Sequence, residues 1–415
     1  MAELAINGGT AVRPQGYPAW PVWSEREIEA VTSVVRSGEW GGYPEPGVHA
    51  SAFEERFAAY QGAAHGVLMV NGTITMEVAL KALDIGWGDE VIIPALTFVA
   101  TAYAPMAAGA LPVIVDVEPR TWTIDPDAVE AAVTERTRAI LPVHLGHHMA
   151  DMDRVMDIAK RHGLAVIEDC AHAPGQRWKD AGAGCIGSFG SFSHQSSKIL
   201  TSGEGGSLLT KDEGLARRAH SIVDCGRPKD AEEREFTFGA NYRLGELHAA
   251  LLLPQLDRFE AQRIEREGNA RYLEEIATSV PGVHVMKADE RITRWSFYNY
   301  ILRIDPDEFG AENEAVCAAL EAEGIPGEVQ YPPMSRYDLF QPSRSRLPVA
   351  VEFADRLDPS KMTFPVAEAA GLRESIYFME NTFRAGREGI EDVVEALAKI
   401  HKHVDELRPS TQPFG

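Results

Sequence analysis

The sequence predicts an α/β fold, a mostly parallel sheet covered by helices, followed by a smaller α+β portion. Three observations predict it. Seven short, nearly continuous apolar runs occupy the first 210 residues, stretches of helical period separate them, and the pattern changes beyond Leu244. Strands that are apolar on both faces and alternate with helices belong to parallel sheets buried under two helical layers. A chain of 415 residues, 45% hydrophobic and 25% charged, has the length for two domains and the composition of a folded one.

In order, the expected strands are GVLMVN (66–71), EVIIPA (90–95), LPVIVDV (111–117), RAILPVH (138–144), LAVIEDC (164–170), SFGSFSH (188–194) and GSLLT (206–210). Helices are expected near 73–84, 98–108, 126–134, 151–162 and 212–223. The uncharged stretch Val91 to Val115 has the length of a membrane span, but Pro94, Pro105, Gly109 and Pro112 interrupt it. Strand, helix, strand is the better reading. A long amphipathic helix containing Pro254 comes next, then the run WSFYNYILRI (295–304), a helix over about 311–323 and a closing helix near 389–407. These place a large domain at residues 1–255 and a smaller α+β domain at 256–415. The last residues, RPSTQPFG, read as a frayed tail.

Sixty-two acidic against 40 basic residues give a net charge of -22. That balance disfavours nucleic acid and anionic membrane surfaces as partners. Cys170, Cys185, Cys225 and Cys317 form no CxxC pair, and the start, MAELAINGG, carries no signal-peptide pattern. A cytoplasmic protein with reduced thiols is expected.

Two motifs are decoys. Gly182, Gly184 and Gly187 spell GxGxxG, but they follow polar RWKDA and lead into a strand rather than opening a helix. His147 to Asp153 (HHMADMD) resembles a ligand cluster, yet Asp151 suits a helix cap, and no metal is expected. The informative segment is SFGSFSHQSSKILTSGEGG. Lys198 lies just beyond a buried strand among small and hydroxyl residues; taken alone it reads as a solvated loop lysine, whereas beside a polar pocket such a lysine can form a Schiff base. Asp169 ends the most apolar strand, where a buried carboxylate needs a cationic partner. A protonated pyridine nitrogen, as in pyridoxal phosphate, would serve, and a helix cap for the following AHA segment is the alternative. Asn71-Gly72-Thr73 leaves a strand and opens a helix, an anion-ready start to which Ser193 could add a hydroxyl. Phe98 follows a strand and could stack on an aromatic ring.

The ordered segments NGT, PALTFVATA, PVH with ADMD, IEDCAHAPG, FSHQSSK with GEGG, and NYRLGELHAA resemble the DegT/DnrJ/EryC1/StrS family of pyridoxal-phosphate sugar and cyclitol aminotransferases. The likeness spans almost the whole chain. It implies a type I aminotransferase fold, with Lys198 holding pyridoxal 5'-phosphate, Asp169 on its ring nitrogen, Phe98 stacked on the ring and His172 beside it. It places Gly72, Thr73 and Ser193 at the phosphate. Asn241 would reach the phosphate of a neighbouring subunit, implying a homodimer with shared sites. Tyr43, His194, Gln195, Arg227 and Tyr331 are candidate acceptor contacts.

The chain departs from the nucleotide-sugar members at Gly146-His147, at His194, at Pro333-Met334-Ser335-Arg336 and at YFMEN (377–381). SSKILTSGEGG and CGRPKD are closer to keto-cyclitol aminotransferases and to 3-amino-5-hydroxybenzoate synthase. The first reading is therefore an aminotransferase that moves nitrogen from L-glutamine or L-glutamate to a keto-cyclitol or keto-sugar. Alternatives are a lyase resembling that synthase and a non-catalytic regulatory protein on the same scaffold. The family's sugar dehydratases, with histidine in place of the lysine, do not match Lys198.

Overall fold

A computed structural model describes residues 3–43, 47–228 and 237–407. The expected tail lies outside these residues except for its approach at Leu407.

The seven apolar runs all become strands of one sheet or its partners. They are β1 (His65–Met69), β2 (Glu90–Pro94), β3 (Leu111–Val115), β4 (Thr137–Ile140) and β5 (Ala165–Asp169). A two-residue hairpin follows, β6 (Arg177–Trp178) and β7 (Ala181–Gly182), then β8 (Phe189–Ser193) and β9 (Gly206–Thr210). The main sheet has the order β1-β9-β8-β5-β4-β2-β3. Pairing is parallel from β3 through β2, β4 and β5 to β8, and only β9 runs antiparallel to its neighbours. Val91 to Val115 forms β2, the helix Ala100–Ala108 and β3. Among the described residues, no helix is long and apolar enough to cross a membrane.

The expected helices form over Gly72–Ala82, Ala100–Ala108, Pro126–Ala132, Met152–His162 and Glu213–Val223. Their starts follow capping chemistry. Asn71 accepts from the Ile74 amide at 2.9 Å, and Asp151 from the Arg154 amide at 3.2 Å. The helix Glu246–Ile276 runs unbroken through Pro254. Beyond it lie β10 (Val283–Val285), β11 (Ile292–Arg294), β12 (Asn299–Ile304), β13 (Gly327–Glu328) and β14 (Ser375–Met379). β10, β12, β14 and β13 make a second, antiparallel sheet, and β11 joins the β6–β7 hairpin. The closing helix covers Gly386–Lys402.

Both decoys resolve into packing. Gly182 and Gly187 pass so close to neighbouring backbone that an added Cβ would lie 2.0 Å from the Gln61 oxygen and 2.5 Å from that of Val166. His147 is buried, stacked on Tyr300 at 4.1 Å, and its Nε2 faces the Met286 carbonyl at 2.8 Å. The family departure at His147 is thus a core contact and not an acceptor contact.

One buried carboxylate ties the sheet to the loop before β8. Glu168 accepts from the amides of Gly184, Ile186 and Gly187 at 2.9, 2.8 and 2.7 Å, and His144 Nε2 lies 3.1 Å away. Together with Cys170 these side chains have metal-compatible spacing. His144 Nδ1 already accepts from the Ala150 amide, however, which leaves the Nε2 proton to donate to Glu168. Glu168→Gln should cost about 3 kcal/mol, because an amide N–H₂ would face buried donors. Urea unfolding checks this, and an unchanged midpoint would contradict the assignment.

Candidate active site

The parallel strands all point their carboxyl ends to one side, where ligands sit in open α/β sheets. A cavity of about 500 Å³ opens there. Its floor is Asp169 at the end of β5, Ser193 at the end of β8, and Asn71, Gly72 and Thr73 just past β1; Lys198 follows β8 on a short loop. The structure therefore gathers Lys198, Asp169, Gly72, Thr73, Phe98, His172, Ser193, Gln195 and Tyr331 around one space.

Lys198 is half-buried as a residue, and its ammonium lies 3.9 Å above the Tyr298 ring. Burial drives its pKa down from 10.5 to about 8, against the opposing pull of Asp169 and Glu380. Asp169 is 6% exposed. Its Oδ1 accepts from the Ala171 amide at 3.1 Å and its Oδ2 from the Thr101 hydroxyl at 3.0 Å. Burial raises its pKa, opposed by those two hydrogen bonds and then by Lys198 and His144. Among the described residues, no helix follows Asp169 for it to cap; the carboxylate ties a turn at Ala171 instead, and it also lines the cavity. Glu380, just past β14, is a second buried carboxylate within electrostatic reach of Lys198. Desolvation lifts it to about 7, opposed by its own backbone amide and by Arg266, Lys198 and Arg384.

His172 has a defined tautomer. The Gly146 amide donates to Nδ1 at 3.2 Å, so the neutral ring carries its proton on Nε2, 3.3 Å from the Tyr331 hydroxyl. Burial, and next the Lys198 charge, keep it well below the ordinary histidine range. Phe98 is 45% exposed at the cavity wall, 5.8 Å from the Tyr331 ring. At the helix start, the Asn71 side chain takes the Ile74 amide and the Asn71 carbonyl takes that of Thr75. The Gly72 and Thr73 amides are left facing the cavity. Gly72 has to be glycine: a Cβ there would lie 2.8 Å from that of Ser193.

These groups fit pyridoxal phosphate. The cradle of two helix amides and a serine hydroxyl suits a phosphate, the buried carboxylate suits a ring N–H, and the lysine amine suits an aldehyde carbon.

Five predicted contacts lie elsewhere or are already committed. His194 is fully buried, with Nδ1 3.0 Å from the Leu200 carbonyl, Nε2 2.8 Å from Ser207, and its ring edge-on to Phe53. It is a core residue and cannot touch an acceptor. Tyr43 and Asn241 line a second cleft with Trp40 and Arg243. Arg227 stacks over Tyr43 at 4.6 Å and pairs with Asp224 at 3.0 Å. None of these three lines the Lys198 cavity. Gln195 does, although its Oε1 is engaged by the Ser197 amide and hydroxyl. The sequence reading missed Thr101, Glu204, Tyr298, Tyr377 and Glu328, which stand on or beside the cavity wall. The alternation in FYNYIL could have drawn attention to Tyr298, but only the fold turns that segment toward Lys198.

The sheet, the strand-end cavity and the lysine–aspartate pair define the class: an α/β aminotransferase of the pyridoxal-phosphate type. The chain belongs to the DegT/DnrJ/EryC1/StrS aminotransferase family, whose model matches residues 21–377. A Streptoalloteichus tenebrarius protein with the provisional name L-glutamine:3-amino-2,3-dideoxy-scyllo-inosose aminotransferase is 41% identical, covering 98% of this chain and 100% of its own. The L-glutamine:2-deoxy-scyllo-inosose aminotransferase of Micromonospora echinospora is 38% identical over 98% of this chain and 100% of its own. The crystal structure of 3-amino-5-hydroxybenzoic acid synthase superposes with a TM-score of 0.82 at 32% identity, covering 92% of this chain and 97% of the other.

Proposed function

We propose that this aminotransferase binds pyridoxal 5'-phosphate in the Lys198 cavity and moves the α-amino group of L-glutamine to the ketone of an inosose-type cyclitol. The observation that carries the cofactor reading is the convergence of a cavity-lining lysine of lowered pKa, a buried aspartate and two helix-start amides on one cavity. The relatives named for glutamine and inososes support the donor and acceptor.

In this reading the Gly72 and Thr73 amides and the Ser193 hydroxyl bind the phosphate, and Phe98 covers one ring face. Asp169 keeps a proton on the ring nitrogen. When bound, the cofactor supplies an electron sink for the carbanion left as a proton departs the substrate carbon. Lys198 would hold the cofactor, and its amine is the group placed to carry that proton as general base and acid. His172, neutral with its proton on Nε2, donates toward Tyr331 and fixes that ring at the wall.

Supplying L-glutamine with heavy nitrogen at its α-amino group, together with a keto-cyclitol, tests the reaction. Labelled aminocyclitol should form in step with the keto acid of glutamine. Product forming without any amino donor would favour instead the lyase suggested by the synthase likeness.

Tyr43 and Asn241 line a cleft apart from the Lys198 cavity, and Arg227 stacks over Tyr43. In this reading they serve a neighbouring subunit's cavity in a homodimer with shared sites. Asn241→Ala should then weaken phosphate binding roughly 10-fold while leaving a dimer in sedimentation. A fully active monomer would contradict the shared site. The four free thiols suit a cytoplasmic setting.

A further inference from the structure

Three tyrosines form the cavity wall opposite the strand ends, and each hydroxyl has a fixed neighbour. Tyr298 meets the Ser197 hydroxyl at 3.0 Å, Tyr331 meets His172 at 3.3 Å, and Tyr377 donates to Glu328 Oε2 at 2.6 Å. A wall of oriented hydroxyls suits a polyol ring.

Glu328 adds charge to this wall. It is the register partner of Tyr377 across β13 and β14, so the two side chains emerge on one face of the sheet. Since Tyr377 lines the cavity, the carboxylate is held at its rim. It is solvent-exposed, and among the described residues no cationic side chain pairs with it. Glu204, a second carboxylate, also lines the cavity. The lining residues of this protomer include one cation, Lys198, and its charge already faces Asp169. A ketone carried on a nucleoside diphosphate would bring two negative charges toward these carboxylates. A ring bearing an ammonium group would bring a counter-ion that the described lining of this protomer does not give them.

We propose that Glu328, oriented by Tyr377, reads an ammonium group on the acceptor, so that the preferred ketone is a cyclitol already carrying one amino group. This deepens the aminotransferase reading and rests on it. Glu204 contributes to the field, but among the described residues no anchored donor orients its carboxylate, so discrimination falls to Glu328.

Two ketones that differ at a single substituent test the claim: 3-amino-2,3-dideoxy-scyllo-inosose and 2-deoxy-scyllo-inosose, in which a hydroxyl replaces the amine. Glu328→Gln keeps the shape and an acceptor for Tyr377 but removes the charge. It should lower kcat/KM for the amino ketone roughly 10- to 100-fold and leave the hydroxy ketone within about threefold. The spectral response of the variant to L-glutamine alone should match the parent. Calorimetry of the holoenzyme with the 1,3-diaminocyclitol product should show the same weakening in the variant, and rising salt should erode binding in the parent. Equal losses for both ketones, or no loss for either, would overturn the proposal, as would product binding that ignores the substitution. If the parent fails to respond to L-glutamine, the aminotransferase reading falls, while the product-binding comparison still decides the role of Glu328.

Discussion

Lys198→Ala abolishes turnover and removes the visible absorbance of the lysine-linked cofactor, while the protein stays folded. The expectation follows from where the amine sits. An ordinary lysine of pKa 10.5 is a few tenths of a per cent neutral at pH 8. Burial brings Lys198 to about 8, so near that pH about half of it is a free nucleophile. Among the described residues, no other lysine lines the cavity. Losing the proton carrier alone costs roughly 10²- to 10⁴-fold, and losing the attachment point adds to that. Lys198→Arg should be as inactive, because it keeps the positive charge and much of the length but not the nucleophile. Activity above about a hundredth of the parent in either variant would remove Lys198 from the chemistry. A melting temperature close to the parent's would show that the defect is chemical.

Asp169→Asn has the second largest expected effect. Asparagine can still accept from the Ala171 amide through Oδ1, and its Nδ2 can donate to the Thr101 hydroxyl oxygen where Oδ2 had accepted, so the turn survives. The negative charge that would hold a proton on the ring nitrogen does not, and a fall of roughly 10²- to 10³-fold in kcat follows. A second readout comes from Lys198. Asp169 is the larger of the two attractions that favour its protonated form. Without it the lysine loses its proton at lower pH, and its titration midpoint moves below about 8. Steady-state rates and a pH titration of amine reactivity check both effects. A variant with parental rate and profile would mean that Asp169 serves only the turn.

Much of this site was legible in the sequence because it is built from strand ends. β1, β5 and β8 are short apolar runs whose carboxyl ends could be located to within a residue or two, and Asp169, Ser193 and the Asn71 helix start follow directly from them. Lys198 was found the same way. His194 was misassigned against a signal already present. Side chains alternate along a strand, so placing Ser193 toward the cavity sends His194 to the opposite face, where it packs on Phe53 and Phe57.

Tyr298, Tyr377 and Glu328 could not be read in this way. They come from the second sheet, more than 90 residues from Lys198 in sequence. Whether that sheet faces the cavity depends on packing that periodicity does not encode. The departure YFMEN was visible as a departure. What it delivers, Tyr377 at the rim and Glu380 behind Lys198, needed the fold.

The central claim is that Lys198 carries pyridoxal phosphate and that L-glutamine discharges its amino group onto it. The most direct test is an absorbance spectrum of the purified protein with pyridoxal phosphate, before and after L-glutamine is added and without any acceptor. A visible band should be present at the outset, move to the shorter-wavelength amine form of the cofactor on addition of L-glutamine, and return when a keto-cyclitol follows. A protein that shows no band with pyridoxal phosphate, or whose band ignores L-glutamine, would contradict the account.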